Sequence, residues 1–265
     1  MIRYFRYSSA NNNPLASNPR HKLANNHALN IYLADAIYSF IPKNACSTMR
    51  TSLALANGCI QDPKEFNWIH KNNFTFSAGI SQLLKAKYTF TILRCPFSRL
   101  ASAYLDKIVN RDSVAWGYYE LRERKVELED VSFASFVKSM TVPRVKNGNP
   151  HWRPQVDFLV YKEYDDYFAM ENFSYVVKTL KEKIDLDVID ARKLTNHGVD
   201  GLELIDGEDF SNAKPIEFLK MKAEGNYPSA RSLYSPELIK SVRATFKADF
   251  DLYKSLFGTD NLLFK

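Results

Sequence analysis

The first feature that could do chemistry is a short polar segment between an apolar stretch and a helix start. Its residues are Pro42, Lys43, Asn44, Ala45, Cys46, Ser47 and Thr48. Backbone N–H groups at a helix N-terminus point outward and carry partial positive charge, so such a segment favours an anion. Lys43 adds a full charge, and Ser47 and Thr48 add hydroxyl donors. The pattern indicates a phosphate-binding loop without the glycines of a Walker sequence, although a proline turn with a solvent-exposed lysine explains it equally well.

A second set of candidate residues follows another apolar, β-branched stretch. Arg94 lies where that stretch ends, which in an α/β fold is the ligand-binding edge of the sheet. Its guanidinium suits a phosphate, and Ser102, two helical turns further on, adds a hydroxyl. In the alternative interpretation, Arg94 and Arg99 pair with surface carboxylates and Ser102 only packs. Together the two segments predict anion sites at adjacent strand ends, for one ligand with two separate phosphate-type groups.

Both segments occupy the same kind of junction, from an apolar strand through a turn into a helix. The predicted strands cover 36–41, 88–93 and 167–170. One predicted helix ends near residue 56, and the others cover 97–109, 133–140, 173–184 and 236–257. A loop is predicted over 141–154. Ser47 or Thr48 is the expected N-cap of the first helix, and one apolar stripe is expected along the last. Two strand–turn–helix units predict an α/β fold with three layers and a parallel sheet.

Composition argues against several other classes of protein. The chain has 265 residues, of which 45% are hydrophobic, enough for a large domain with a sizeable core. No window reaches the roughly 18 consecutive apolar residues of a membrane helix, and no secretory signal is expected at the N-terminus. Cys46, Cys59 and Cys95 fit neither a disulfide framework nor a zinc site. The net charge of +6 comes from scattered basic residues, which indicates no nucleic-acid partner.

The domain organisation follows from the regions that are rich in helix-breaking residues. Residues 1–30 are polar, with several asparagines and prolines, and we predict a flexible arm or surface wrap there. Residues 31–265 are predicted to form a single domain. Insertions around 110–232 are expected to shape an acceptor pocket, and residues 190–232 are too irregular for elements to be assigned.

Several segments taken together resemble carbohydrate sulfotransferases that use 3′-phosphoadenosine-5′-phosphosulfate (PAPS). This group includes the chondroitin and dermatan sulfotransferases and the heparan sulfate 2-O-sulfotransferase. The matching segments are 41–48, the pattern R-x-P-x-x-R-x-x-S-x-Y-x-x-K over 94–107, N-P-H-W-R-P-Q over 149–155, 164–172 and the last helix from 234. The similarity runs from about residue 36 to 257, and its first two segments are the most specific.

The resemblance implies a P-loop-like fold with a central, mostly parallel sheet flanked by helices. It also implies PAPS as the donor, adenosine 3′,5′-bisphosphate as the product and a carbohydrate hydroxyl, on a polysaccharide or glycolipid, as the acceptor. Lys43, Ser47 and Thr48 would hold the 5′-phosphosulfate. Arg94 and Ser102 would hold the 3′-phosphate. The remaining loop residues that the resemblance counts as donor-binding are Asn44, Ala45 and Cys46.

Sulfuryl transfer is an in-line displacement in which positioning and charge stabilisation dominate. We expect Lys43 to stabilise the bridging oxygen, and we expect no metal. A base must take the proton of the acceptor hydroxyl, and histidine titrates in the right range. We favour His70, which lies between the two phosphate segments as the catalytic histidine of the 2-O-sulfotransferase does. His151 is the alternative, and Glu171 stays open as a base or as a structural partner of a cation.

Two other functions remain open. A P-loop-type kinase would share the strand–loop–helix site, but it would bind Mg·ATP through an acidic strand end, where this chain has Arg94. A non-enzymatic protein that binds acidic glycans would show basic clusters rather than two discrete sites. Animal Golgi members of the group have a membrane anchor and lumenal disulfides, and this chain shows neither feature. We therefore expect a bacterial-type enzyme of the cytoplasm, whose oligomeric state the sequence does not indicate.

Overall fold

The computed structural model describes residues 2–8, 14–72, 74–191 and 201–265. These residues form two compact units. The first unit contains the chain up to Arg94 together with the segment that begins at Gln155. The second unit contains Cys95–Pro154 and the C-terminal residues from 201 to Lys265. Both predicted phosphate segments begin in the first unit.

Helices outnumber strands in the described part of the chain. The helices are α1 (Pro19–Asn26), α2 (Cys46–Ala56), α3 (Trp68–Lys71), α4 (Ile80–Lys85), α5 (Pro96–Ala103), α6 (Ser113–Leu121), α7 (Phe133–Ser139), α8 (Pro143–Lys146), α9 (Phe173–Ile184), α10 (Pro215–Ala223), α11 (Pro236–Thr245) and α12 (Lys247–Phe257). The strands are β1 (Ala28–Ile31), β2 (Ala36–Ser39), β3 (Tyr88–Leu93), β4 (Asp166–Ala169), β5 (Glu203–Ile205) and β6 (Asn226–Pro228).

The first unit is built on a four-stranded sheet with the order β1-β2-β3-β4. The edge strand β1 is antiparallel to β2, whereas β2, β3 and β4 are parallel. The central strand β3 reads Tyr-Thr-Phe-Thr-Ile-Leu and is buried along its whole length. Such β-branched and aromatic runs are typical of parallel strands that are covered on both faces. The predicted fold class, an α/β fold with a central, mostly parallel sheet flanked by helices, is confirmed.

One face of the sheet carries the hydrophobic core of the first unit. Tyr38 and Phe90 stack there with ring centroids 4.9 Å apart. Helix α2 covers them with Met49 and Leu53, and α9 adds Leu180, all of which are fully buried. Helix α2 follows β2 in the chain and packs against the same sheet, as expected for a strand–turn–helix unit.

The opposite face of the sheet is more polar and is covered by the N-terminal segment. The buried Arg3 guanidinium donates to the Ala86 carbonyl at 3.3 Å and to Thr89 Oγ1 at 3.3 Å. It also forms an ion pair of 2.7 Å with Asp165. The sequence assigned residues 1–30 to a polar arm, but in the structure this stretch includes helix α1 and most of the edge strand β1.

The second unit is mainly helical, with one small sheet of the parallel strands β5 and β6. Helix α5 continues into a π-helix over Tyr104–Val109. Ser132 is the N-cap of α7 and accepts a hydrogen bond from the Ser135 N–H, so the helix begins at Phe133, as predicted. The predicted loop over 141–154 contains one extra helical turn, α8. Of the region in which no elements were assigned, 201–232 holds β5, α10 and β6, and 192–200 lies outside the described residues.

The single C-terminal helix predicted over 236–257 is wrong, because the chain breaks at Phe246 into α11 and α12. The apolar residues Leu238, Val242, Phe246 and Phe250 recur at every fourth position. An α-helix repeats every 3.6 residues, so such a stripe drifts by about 40° per step around a straight helix. The break realigns the stripe and leaves Val242, Phe246 and Phe250 all buried. The predicted helix end at residue 257 is confirmed, and Gly258 follows it with a positive φ of 71°.

The length and polarity of the helices bear on membrane insertion. Along the described ranges, every helix is too short or too polar to cross a bilayer.

Replacing Asp165 with asparagine should destabilise the protein at pH 7 by about 1 to 2 kcal/mol. Burial raises the pKa of this carboxyl, but hydrogen bonds from Arg3 and Thr89 outweigh burial and hold the pKa below its ordinary value. A lowered pKa stabilises the fold above the unfolded-state value of about 3.9, and that contribution is lost as the pH falls further. Urea unfolding of wild type and Asp165→Asn between pH 3 and 7 should show the difference shrinking towards low pH.

The matched control is Asp35→Asn, which removes an exposed carboxylate that pairs with Lys87 at 2.9 Å. Exposed pairs contribute little, so this variant should stay within about 0.5 kcal/mol of wild type. Equal effects of the two substitutions at every pH would contradict the role given to Asp165.

Candidate functional site

The ends of β2 and β3 lie side by side, and the two predicted phosphate segments begin there. The strands pair in parallel, with Ser39 opposite Thr91. Beyond them the Arg94 guanidinium donates from Nη1 to the backbone carbonyl of Lys43 at 2.9 Å. The structure therefore places the two segments at adjacent strand ends, as the sequence predicted, and the Arg94 side chain contacts the Lys43 backbone.

The backbone of the first segment is folded into a concave turn. Lys43 and Ala45 both have positive φ angles, 74° and 54°, on either side of Asn44. Between them, the Asn44 N–H donates back to the Ile41 carbonyl at 3.1 Å, so the backbone itself helps to hold this left-handed conformation. Non-glycine residues seldom adopt this conformation, which costs about 1 to 3 kcal/mol each. Such conformations cluster at ligand sites.

Helix α2 opens directly onto this turn. Its N-cap is Ala45, whose side chain has no group to accept a hydrogen bond from the first helical turn. The expectation that Ser47 or Thr48 caps the helix is wrong, because both lie inside the first turn, after Cys46. Sequence preference favours a hydroxyl at the cap, but the left-handed Ala45 starts the helix earlier. The start of α2 therefore lacks a hydrogen bond from an N-cap side chain and keeps its partial positive charge.

Asn44 and Gln155 connect the two strand ends beneath the turn. The buried Asn44 Nδ2 donates to the Ile92 carbonyl at 2.8 Å and to Gln155 Oε1 at 2.7 Å. Gln155 also accepts from the Arg94 N–H at 3.0 Å and donates to the Arg94 carbonyl at 2.8 Å. Gln155 ends the predicted N-P-H-W-R-P-Q segment, so its place in the site links the third matching segment to the first two.

His70, the favoured base, lies on the short helix α3 of the same unit, with an exposed ring. The buried Arg50 of α2 donates to the carbonyl of the preceding residue, Ile69, and lies over the Phe40 ring at 5.3 Å. Burial lowers the pKa of the Arg50 guanidinium below its ordinary value. Nearby Cys46 and Tyr38 oppose this shift but do not cancel it. Arg50 thus ties the segment that carries His70 to the helix that begins at the turn.

The buried Tyr38 hydroxyl adds no negative charge under the turn. Burial holds its pKa well above the ordinary value, with a further rise from Cys46. The phenol is therefore neutral at physiological pH. The start of α2, which carries partial positive charge, is therefore not opposed by a phenolate at Tyr38.

Ser102, which the sequence predicted to bind the donor, lies in α5 of the second unit and is half-buried. The segment around it contains Arg99, which is 3% exposed. Arg99 donates from Nη1 to the Arg153 carbonyl at 2.8 Å and from Nη2 to the Pro150 carbonyl at 3.0 Å. The buried fork of Arg99 thus holds the loop that carries His151.

His151, the alternative base, is held by its own loop within the second unit. Its N–H donates to Asn149 Oδ1 at 3.0 Å, and its Nδ1 lies 2.8 Å from the same oxygen. An amide oxygen only accepts, so Nδ1 carries the hydrogen. In the neutral ring, Nε2 is then the nitrogen that can take a proton. Glu171, the third candidate, is exposed in the turn that follows β4.

Over the described ranges, no group of histidine, cysteine and carboxylate side chains is arranged to hold a metal ion. The three cysteines Cys46, Cys59 and Cys95 are free thiols.

The parallel strands β2, β3 and β4, with an uncapped helix start, a lysine and an arginine at their carboxyl ends, place the chain among α/β proteins whose candidate site lies at this edge of the sheet. Comparison with known proteins gives the particular class: the sulfotransferase family profile matches residues 34–255, and the chain belongs to this family.

A curated relative is carbohydrate sulfotransferase 14 of Danio rerio. It is 24% identical over 134 residues, which cover 44% of this chain and 36% of that protein. The match therefore spans well under half of the relative. No solved structure shows a significant match to this chain.

Two residues of the site received no role from the sequence. The available signal for Gln155 was its position as the last residue of the matching segment 149–155. Arg50 lies in the interior of a predicted helix and carried no signal, since its contacts with Phe40 and Ile69 depend on the fold.

We predict that Arg99→Ala lowers the stability of the protein by about 2 to 4 kcal/mol, because two hydrogen bonds from a charged, buried donor are lost. Thermal and urea unfolding measure this loss. The control is Arg144→Ala, which removes an exposed guanidinium that pairs with Glu123 at 3.4 Å and should change stability by less than about 1 kcal/mol. An Arg99→Ala protein as stable as the Arg144→Ala protein would refute the structural role.

Proposed function

We propose that the protein transfers a sulfuryl group from PAPS to a hydroxyl of a carbohydrate. Family membership supports sulfuryl transfer. The observation that carries the donor assignment is the hydrogen bond from Arg94 to the Lys43 carbonyl, which joins the two strand ends. A donor with a 5′-phosphosulfate and a 3′-phosphate needs two such cationic positions close together.

In this proposal the turn from Lys43 to Thr48 holds the 5′-phosphosulfate. The positive φ angles of Lys43 and Ala45 and the uncapped start of α2 support an anion at this position. Arg94 would hold the 3′-phosphate, and the role of Ser102 in the second unit stays a prediction from the sequence.

The transfer step exchanges one bond to sulfur for another. The acceptor oxygen attacks sulfur while the bond from sulfur to the bridging phosphate oxygen breaks, and adenosine 3′,5′-bisphosphate leaves. Negative charge grows on the bridging oxygen, where Lys43 and the N–H groups of α2 would stabilise it. A sulfuryl group carries less charge than a phosphoryl group, so we propose a transfer without a metal.

The base accepts the proton that the acceptor hydroxyl loses. His70 shares a unit with Lys43, and Arg50 anchors its segment. His151 has the better-defined tautomer, because Asn149 fixes the hydrogen on Nδ1. Both histidines, and Glu171, stay candidates for the base, and replacing each in turn separates them.

A carbohydrate is the acceptor class we propose. The support is the name of the relative, a carbohydrate sulfotransferase, together with the matching segments at 41–48 and 94–107. The acceptor pocket around 110–232 and a cytoplasmic location both stay predictions.

Calorimetric titration should show tight binding of adenosine 3′,5′-bisphosphate in the absence of Mg²⁺. The two cationic positions match the two phosphates of this ligand, whereas ATP presents one continuous triphosphate chain. Titration with ATP, with and without Mg²⁺, is the comparison. Preference for Mg·ATP over the bisphosphate would refute the proposal and favour a kinase.

Arg94→Ala should weaken bisphosphate binding by about 10- to 100-fold, the value of a lost hydrogen bond to a charged group. His70→Ala and His151→Ala should leave that affinity nearly unchanged. The histidine that acts as base should instead lose about 10²- to 10⁴-fold in turnover when replaced. Affinity is measured by calorimetry, and turnover by sulfate transfer from labelled PAPS.

Arg20→Ala, which removes one exposed positive charge from the same unit, is the control for net charge. If Arg94→Ala binds the bisphosphate no more weakly than Arg20→Ala does, Arg94 does not hold a phosphate. Full turnover in both histidine variants would exclude both as the base and make Glu171→Gln the next variant.

A further inference from the structure

We propose that Gln155 is a positioning residue that sets the geometry of the donor-binding turn and of Arg94. This inference rests on the proposed function and adds a residue to it. Gln155 lies too deep to act on a ligand directly, with 1% of its surface exposed. Its effect is exerted through Asn44 and Arg94.

The side-chain amide of Gln155 pairs with Arg94 as a neighbouring strand would. Its Nε2 donates to the Arg94 carbonyl at 2.8 Å, and its Oε1 accepts from the Arg94 N–H at 3.0 Å. Arg94 is the first residue beyond β3. The paired amide therefore extends the hydrogen bonding of the sheet by one residue and fixes the backbone from which the Arg94 side chain reaches Lys43.

The same oxygen of Gln155 also holds the turn. Oε1 accepts from Asn44 Nδ2 at 2.7 Å, and that nitrogen also donates to the Ile92 carbonyl at 2.8 Å. Asn44 is the residue between the two left-handed positions, Lys43 and Ala45. A strained backbone persists only where its surroundings over-determine it. Gln155 and Ile92 supply that constraint from below the turn.

The chemistry at this position requires both a donor and an acceptor at the length of a glutamine. The Arg94 carbonyl and N–H fix which end of the amide is oxygen. An ionised glutamate could accept from Asn44 and Arg94 but could not donate to the Arg94 carbonyl. A methionine of similar length would leave Asn44 and Arg94 with buried, unsatisfied groups. Only glutamine serves all three hydrogen bonds.

The test compares Gln155→Ala and Gln155→Met with wild type. We expect bisphosphate affinity to fall by about 10- to 100-fold, because Lys43 and Arg94 are no longer held at the distance that the ligand requires. Calorimetry measures the affinity. Hydrogen exchange measures the turn itself, and the amides of 43–48 should exchange faster in both variants without any ligand.

Asn18→Ala is the matched control for a purely structural role. Asn18 is 2% exposed in the same unit. It too makes three hydrogen bonds, to the Tyr7 carbonyl and from the N–H groups of Arg20 and His21. This variant should lose stability as Gln155→Ala does but keep wild-type bisphosphate affinity and wild-type exchange in the turn.

The variant Gln155→Glu adds a pH profile that a structural role would not produce. Burial raises the pKa of the introduced carboxyl, and its protonated form can again donate to the Arg94 carbonyl. The ratio of variant to wild-type dissociation constants should therefore rise from pH 6 to pH 8.5. This variant is nearly isosteric, so it also serves if the alanine and methionine variants fail to fold.

The outcomes separate the inference from the proposed function. A wild type that binds no bisphosphate overturns both. A wild type that binds, with folded Gln155 variants of equal affinity and a flat pH ratio, overturns the inference alone. An affinity loss of the same size in Asn18→Ala also overturns it, since the effect would then follow from stability.

Discussion

The arrangement of the site depends on the hydrogen bond between the Arg94 guanidinium and the Lys43 carbonyl. This bond brings two cationic residues close together, and its acceptor is a carbonyl rather than a carboxylate. The dipole of the Lys43 carbonyl attracts the Arg94 guanidinium, so the two residues lie close together although both side chains are cationic. The parallel pairing of β2 and β3 places both residues beyond the same edge of the sheet. In our proposal, the two phosphate-type groups of PAPS lie near these two cationic residues.

Such a cluster needs support from below, because its backbone is strained and its charges repel. Lys43 and Ala45 adopt left-handed conformations that cost about 1 to 3 kcal/mol each. Buried amides offset that cost without adding charge: Asn44 and Gln155 form a chain of hydrogen bonds that ends on the Arg94 backbone. Neutral groups suit this position, since a buried carboxylate there would compete with the ligand for the cations.

Much of the fold could be predicted from local patterns. The bounds of β3 were correct, because a buried β-branched run ends at Arg94 before Pro96. The break at Phe246 could not be predicted, since it depends on how an apolar stripe meets the core. The left-handed N-cap at Ala45 could not be predicted either, because alanine favours neither the N-cap position nor a left-handed conformation. Gln155 carried a sequence signal, but its partners lie 61 and 111 residues away in the chain, and no local pattern connects them.

Two arginines of one segment illustrate why residue type alone does not assign a role. Arg99 is buried, and its two terminal nitrogens donate to carbonyls of the loop that ends at Pro154, so its fork holds structure. Arg94 is half-buried at a strand end, and its contact with the Lys43 carbonyl uses a single nitrogen. A planar guanidinium can hold a carbonyl with one nitrogen and a phosphate with the others. The same chemical group thus serves the fold at one position and, in our proposal, the ligand at the other, with strand geometry making the difference.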